Sequence, residues 1–167
     1  SAKPNQAHAI IAGWQNDFDV QVITQNIDDL HERAGSINVL HLHGEIFKMR
    51  SEADENKIYP IFGDMHLGDV AEDGYQLRPH IVWFNEQVPM IVPAMALTET
   101  ADLFIVIGTS LLVYPAASLL RYVSPIASVY IVDKKIPEIT AINYVTIEQP
   151  ATKGLQLVDN LLREKFT

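Results

Sequence analysis

The stretch VQVITQNIDDLHERAGSINVLHLHG, residues 20–44, contains the pattern that decides the fold. Two runs rich in β-branched and apolar residues, Val20–Thr24 and Val39–Leu42, are typical of strands. Between them, Ile27–Ala34 has the spacing of a short helix, and Gly35 suits the position just after its end. This alternation of strand, helix and strand indicates an α/β fold.

The same alternation continues along the chain. The wholly apolar run Leu103–Ile107 is typical of a central parallel strand that is covered on both faces. Strands that alternate with helices in this way predict a Rossmann-like, doubly wound parallel sheet. The further predicted elements are helices over Pro4–Phe18, Ile91–Thr100, Pro115–Tyr122 and Lys153–Glu164, and strands over Ile81–Phe84, Val129–Val132 and Tyr144–Ile147.

The pattern changes between residues 47 and 76, where charged residues, glycines and single apolar residues alternate without a stable period. Such a stretch is typical of a small inserted module. We therefore expect residues 1–46 and 77–167 to form the Rossmann-like domain and residues 47–76 to form the module. The apolar residues expected to hold the module together are Ile58, Tyr59, Ile61, Phe62 and Met65.

The composition argues against several classes of function. The 167 residues include 12 Lys and Arg against 21 Asp and Glu, a net charge of −9 that disfavours nucleic-acid binding. The chain has no cysteine, which excludes disulfides, thiol nucleophiles and cysteine-type zinc sites. The longest uncharged run, residues 103–120, contains Gly108 and Pro115 and does not read as a membrane span. We expect no membrane partner and a cytoplasmic location.

Polar residues follow the first predicted strand, at the carboxyl end where ligands bind in α/β sheets. They are Gln25, Asn26 and Asp28. An amide group offers both a donor and an acceptor, and so suits a ligand with hydroxyl and carboxamide groups. Asn26 and Asp28 are also suited to capping the helix that follows, and the two roles are compatible.

Two further candidate positions follow later strands. The main-chain N–H groups and hydroxyls of Gly108, Thr109 and Ser110 could hold a phosphate or ribose, or could form a plain turn with a capping hydroxyl. Asp133 suits the carboxylate that binds ribose hydroxyls in dinucleotide folds, or a solvated loop acid beside Lys134. The pattern alone leaves these alternatives open.

His41 and His43 lie two residues apart in the sequence HLHG at 41–44. On a strand the two side chains share a face, so the pair could bind a metal. Alternatively, a histidine at the strand end before Gly44 could act as a general base near neutral pH. A structural role for each histidine is the third alternative.

Together, these motifs resemble those of the sirtuin family, in the same order and spacing. The most specific part is TQNIDDLH at 24–31 followed by LHG at 42–44. The run LRPHIVWF at 77–84 is most similar to the subgroup that contains succinyl- and malonyl-lysine hydrolases. The resemblance covers nearly the whole chain and implies an NAD-dependent protein-lysine deacylase of bacterial type. Such an enzyme removes acyl groups from lysine side chains and releases nicotinamide and O-acyl-ADP-ribose.

The resemblance also implies roles for individual residues. His43 matches the catalytic base, and Asn26 is implied to be catalytic as well. The residues implied to bind NAD are Gln25, Asn26, Asp28, Gly108, Thr109, Ser110 and Asp133. The residues implied to bind the acylated-lysine protein or peptide are Val82, Trp83, Phe84 and Glu86.

Three departures from the family pattern matter. The cysteine pairs that hold zinc in most sirtuins are missing, so we expect a zinc-free module. Asn85 stands where the family usually has glycine before Glu86, and asparagine tolerates a positive φ. The glycine-rich first turn that holds the NAD pyrophosphate has no counterpart, so we expect an amino-terminal segment or a second chain to supply it. We expect the 167 residues alone to be inactive and to bind NAD weakly.

Two other functions are considered. The first is a non-catalytic module that binds NAD or ADP-ribose, although the joint presence of Gln25, Asn26, Asp28 and His43 argues against a decayed site. The second is a metal hydrolase that uses His41 and His43 with another histidine, either His31 or His80. It lacks a carboxylate at a recognised ligand spacing and ranks last.

Overall fold

Parallel strands with helices on both sides form the framework of the structure, a computed structural model that describes residues 2–109, 114–136 and 144–166. The helices are α1 (Gln6–Gly13), α2 (Leu30–Arg33), α3 (Ile91–Glu99) and α4 (Ala151–Phe166), with 3-10 helices at Trp14–Asn16 and Ala116–Tyr122. The strands are β1 (Val22–Thr24), β2 (Val39–His41), β3 (Gly44–Ser51), β4 (Ile58–Pro60), β5 (Leu77–Ile81), β6 (Leu103–Ile107), β7 (Ser128–Asp133) and β8 (Tyr144–Glu148).

Two groups of strands are parallel. β1 pairs with β2, and β7 lies between β6 and β8. The prediction that Leu103–Ile107 is a parallel strand covered on both faces is confirmed, but its central position is not, because β6 is paired on one side only in the described residues. The central strand is β7, whose residues 129–132 are all buried.

The two parallel groups lie in one layer, as their shared packing shows. On one face, Val22 of β1 and Ile105 of β6 pack against the same core as α1 and α4. On the other face, Ile23 of β1 and Phe104 of β6 pack with Leu119 of a 3-10 helix and with residues of α3. Helices therefore cover both faces, and the prediction of a doubly wound, Rossmann-like α/β sheet is confirmed.

Helix α4 approaches β7 closely because residue 154 is glycine. A Cβ atom there would overlap the Cγ1 atom of Val132, a residue with no exposed surface. The same helix is joined to the α1 end by a hydrogen bond of 2.8 Å from Trp14 Nε1 to Asp159 Oδ1. Among the helices of the described residues, none is both long and apolar enough to cross a membrane.

A separate antiparallel sheet with the strand order β4-β3-β5 lies between the parallel groups in sequence. It extends over residues 44–81, beyond both ends of the predicted module, and the division into domains stays a prediction. Two expectations were wrong. The strand predicted over Ile81–Phe84 instead covers Leu77–Ile81, and Ile58 and Phe62 of the expected apolar contacts are exposed, Phe62 by 93%.

Polar contacts connect the loops of this antiparallel sheet. The fully buried hydroxyl of Ser51 donates to Asp73 Oδ2 (2.8 Å), and Lys57 Nζ lies 3.2 Å from the same oxygen. The main-chain N–H of Tyr75 donates to Asp73 Oδ1. Burial by itself raises the pKa of Asp73, but the hydrogen bonds from Ser51, Tyr75 and Lys57 outweigh it and hold the pKa below its ordinary value.

We expect Asp73→Asn to destabilise the protein at neutral pH. A carboxyl group whose pKa is lower in the folded state stabilises the fold above its unfolded pKa, about 3.9, and this stabilisation is lost as pH falls through the folded value. Chemical unfolding should therefore show a large difference from the unsubstituted protein at pH 7 and a smaller one at about pH 3. The exposed Asp64→Asn is the control, expected to be neutral at both pH values. Equal stability of Asp73→Asn and the unsubstituted protein at pH 7 would contradict the assignment.

Candidate functional site

The parallel pairing of β1 and β2 brings two polar segments together. Thr24 stands opposite His41 in the register, so the residues after β1 run beside those after β2. The main-chain N–H of Leu42 donates to the oxygen of Thr24 (2.9 Å), and that of Ile46 donates to the oxygen of Ile27 (2.8 Å). The candidate site is built on this contact between the segments 24–28 and 41–46.

His43 is oriented by the main chain of the neighbouring segment. Its Nδ1 atom lies 2.9 Å from the carbonyl oxygen of Gln25. A carbonyl oxygen can only accept, so Nδ1 carries the hydrogen, and the lone pair of the ring is then on Nε2. A half-buried histidine in this tautomer has the arrangement that a general base requires.

Hydrogen bonds hold the main chain of the polar segment after β1, and Asn26 in this segment is exposed. The main-chain N–H of Asn26 donates to Thr24 Oγ1 (3.1 Å), while the Asn26 residue itself is exposed. Asp28 Oδ1 accepts from the main-chain N–H of Leu30 (3.1 Å), but the N-cap of α2 is Asp29, so the expectation that Asn26 or Asp28 caps this helix is wrong. Gln25 is half-buried. Gln25, Asn26 and Asp28 thus lie on the segment that contacts His43 through the Gln25 carbonyl.

Gly108, Thr109 and Asp133 lie at the carboxyl ends of β6 and β7. Because these strands are parallel neighbours, the three residues share one edge of the sheet. Gly108 has φ +61° and its N–H donates to the oxygen of Val132 (2.9 Å). Asp133 Oδ1 accepts from the main-chain N–H of Lys135 (3.0 Å). Ser110 lies outside the described residues, and the roles of the other three stay predictions.

The segment 82–86 is a turn rather than the predicted strand. The N–H of Val82 donates to the carbonyl oxygen of His43 (2.9 Å), which attaches the turn to the candidate base. Trp83 and Phe84 then project outward, exposed by 54% and 96%. Asn85 has φ +72°, in line with the expectation that asparagine would tolerate this turn. The substrate-binding role of these residues stays a prediction.

Glu86 fixes the shape of this turn. Both carboxylate oxygens accept from Arg78, at 2.8 and 3.0 Å, and one also accepts from the N–H of Trp83 at 2.9 Å. The Arg78 hydrogen bonds, followed by that of the Trp83 N–H, lower the pKa of Glu86. An open cavity of about 660 Å³ adjoins the turn, lined by Arg50, Glu55, Glu86, Gln87, Val88, Pro89, Ile91, Val92 and Pro115.

His41 and His43 do not form the metal pair considered from the sequence. Within residues 2–109, 114–136 and 144–166, the close group of potential metal ligands is Glu32, His41 and Glu45, whose ligand atoms lie within 4.8 Å of one another. His43 is not part of it. Glu32 was not singled out from the sequence, because it lies in a different element from His41 and no local pattern connects the two.

Gly44 allows His43 to reach this position. It has φ +78°, and a Cβ atom there would overlap the main-chain oxygen of His80 on β5. Glycine is therefore required both by the backbone conformation and by the close approach of β3 and β5.

The comparisons with known proteins are consistent with this geometry. The model of the Sir2 family matches residues 1–115. An NAD-dependent protein deacylase of Helicobacter pylori is 52% identical over 132 residues, which cover 79% of this chain and 56% of that protein. The chain spans 56–64% of the length of the first three curated relatives it matches.

Solved structures match over nearly the entire chain. A Sir2 homologue in complex with NAD is 32% identical, has a TM-score of 0.84, and is matched over 100% of this chain and 68% of that one. A Sir2 structure with a p53 peptide and NAD⁺ is 32% identical, with a TM-score of 0.78, and is matched over 98% of this chain and 71% of that one.

We expect Gly44→Ala to destabilise the protein more than Gly74→Ala does. Both glycines have φ near +80°, but a Cβ atom at Gly74 would meet nothing within 4 Å. Gly74→Ala should therefore cost only the backbone strain, about 1–2 kcal/mol. Gly44→Ala should cost about 1–3 kcal/mol more from the overlap with His80. Chemical unfolding of the two variants measures the difference, and equal losses would mean that β3 and β5 can move apart without penalty.

Proposed function

This chain belongs to the Sir2 family, and we propose that the complete protein is an NAD-dependent protein-lysine deacylase. The observation that carries the proposal is the hydrogen bond from His43 Nδ1 to the Gln25 carbonyl, which directs the basic ring nitrogen away from the main chain. It occurs beside Asn26 and Asp28, in a chain that resembles deacylases over most of its length.

The donor set of the site fits NAD. The carboxamide and ribose hydroxyls of NAD need partners that both donate and accept, and Gln25 and Asn26 provide amides next to the carboxylate of Asp28. We assign the adenosine and phosphate side to Gly108, Thr109 and Asp133 at the other strand ends, and to Ser110, which follows them in the sequence motif Gly108-Thr109-Ser110. When bound, NAD supplies the leaving group of the reaction, so no metal is required.

The chain's own residues then perform three tasks. His43 accepts a proton at Nε2, because Nδ1 already carries the hydrogen that it donates to the Gln25 carbonyl. Asn26 orients the reacting groups from a backbone that Thr24 holds in place. The turn from Val82 to Glu86, attached to the main chain of His43 through the Val82 N–H, borders one side of the site and positions the substrate there.

We propose that acylated-lysine peptides bind along this turn. The exposed aromatic side chains of Trp83 and Phe84 offer apolar surface for an acyl-lysine side chain. We place the extended peptide beside the main chain that follows Ile81, where β5 ends. A solved Sir2 structure that matches this chain contains a p53 peptide together with NAD⁺. A cytoplasmic location likewise stays a proposal.

We expect His43→Ala in the complete protein to lower deacylation of an acyl-lysine peptide by about 10²–10⁴-fold, because the general base is lost. The fold should persist, and circular dichroism should be unchanged. Asn26→Ala should be of similar severity, since misorientation alone can cost about 10²-fold.

The exposed His66→Ala is the control for these variants and should keep full activity. Turnover by His43→Ala close to that of the unsubstituted protein would remove the general-base assignment. Retained NAD binding with no turnover in the unsubstituted complete protein would instead favour a non-catalytic NAD-binding module.

We also propose that the antiparallel sheet is held without zinc. Support comes from the contacts of Ser51, Lys57 and Asp73, which connect its loops. Elemental analysis of the complete protein after chelator treatment should find well under one zinc per chain. Stoichiometric zinc that survives chelation would contradict the proposal, because a tetrahedral site needs four ligands in place.

A further inference from the structure

Two histidines hold consecutive carbonyl groups of the same segment. His43 Nδ1 contacts the oxygen of Gln25, and His41 Nδ1 contacts the oxygen of Asn26, both at 2.9 Å. The rings are thus equivalent at Nδ1. They differ at Nε2, because Nε2 of His41 lies 2.7 Å from Glu32 Oε1.

The partners determine where the hydrogens of His41 lie. The Asn26 carbonyl only accepts, so His41 Nδ1 must carry a hydrogen. The short contact between Nε2 and Glu32 then requires a second hydrogen, on the ring or on the carboxyl group. With its side chain only 6% exposed, His41 has no ring nitrogen left for chemistry.

The charged groups around His41 come from two elements besides its own. Glu32 approaches from α2, and Glu45 approaches from β3, where its carboxylate also pairs with Lys48 Nζ at 2.6 Å. His31 of α2 also interacts with His41 electrostatically. These groups surround the ring without displacing either of its two hydrogen bonds.

We propose that Glu32 and His41 are positioning residues for Asn26. The Asn26 main chain is fixed at its N–H by Thr24 Oγ1 and at its carbonyl by His41, while the residue itself is exposed. Glu32 sets the rotation of the His41 ring. The inference rests on the proposed deacylase function, in which Asn26 touches the reacting groups.

Two substitutions at one position separate positioning from stability. In His41→Asn, the amide nitrogen takes the place of Nδ1 and keeps the hydrogen bond to the Asn26 carbonyl. In His41→Gln, the amide takes the place of Nε2 and keeps the contact with Glu32 instead. Each variant keeps one of the two hydrogen bonds of a buried side chain, so their losses of stability should be similar.

The two variants of the complete protein should differ in kcat. We expect His41→Gln to lower kcat about 10–100-fold, by analogy with the loss of an outer-shell partner at metal sites, with KM for the acyl-lysine peptide unchanged. His41→Asn should stay within about threefold of the unsubstituted kcat, because its donor to Asn26 is kept. Glu32→Ala should fall between them, and the exposed His66→Asn should match the unsubstituted protein. The proposal is overturned if His41→Gln and His41→Asn have equal kcat values, or if the loss of kcat follows the loss of stability rather than the loss of the hydrogen bond to the Asn26 carbonyl.

Nuclear magnetic resonance of the ring nitrogens gives a readout that needs no activity. We expect His41 Nδ1 to carry a slowly exchanging hydrogen, and the Asn26 amide signal to shift in His41→Gln but not in His41→Asn. A His41 ring with an unprotonated Nδ1, or one bound to a metal held with Glu32 and Glu45, would overturn the inference. An unsubstituted complete protein without deacylase activity would defeat the proposed function, while these signals would still decide the role of His41.

Discussion

Because β1 and β2 pair in parallel with Thr24 opposite His41, the two segments that leave them must run side by side. Every contact of the candidate base depends on this register. A shift of one residue would move His43 away from the Gln25 carbonyl and would turn Leu42, now 1% exposed, out of the core. The same register therefore fixes the apolar packing of Leu42 and the orientation of His43. Because burial of Leu42 stabilises this register, it also sets the position of the neighbouring polar residues.

The alternation of strands and helices was readable from the sequence because it depends on local patterns of apolar residues. The position at which β5 ends could not be predicted from such local patterns. Ile81–Phe84 has the composition of a strand, but Glu86 accepts from both Arg78 and the Trp83 N–H and turns the chain at Asn85. The Arg78–Glu86 contact joins residues of β5 and of the turn, and no pattern within either segment predicts it.

The candidate site shows the same division. The residues Gln25, Asn26, Asp28 and His43 were predictable as a group, since they follow strands that an α/β sheet places side by side. The difference between His41 and His43 was not predictable, because it depends on Glu32, which folding brings to 2.7 Å from His41. Likewise, the apolar character of Phe62 suggested burial, whereas polar contacts of Ser51, Lys57 and Asp73 connect the loops around it.

The parallel layer is held together in two different ways. Within each parallel group the strands are joined by main-chain hydrogen bonds, but in the described part of the chain β1 pairs only with β2, and β6 only with β7. Between β1 and β6 the layer is therefore continuous through side chains that share the same helices, with Val22 and Ile105 on one face and Ile23 and Phe104 on the other. Apolar packing of this kind sets the distance between the groups less strictly than a strand register does. The candidate base belongs to one group, and Gly108 and Asp133 belong to the other. A ligand that contacts both groups would consequently bridge them, and it would stabilise the folded state by an amount that grows with its concentration relative to its Kd.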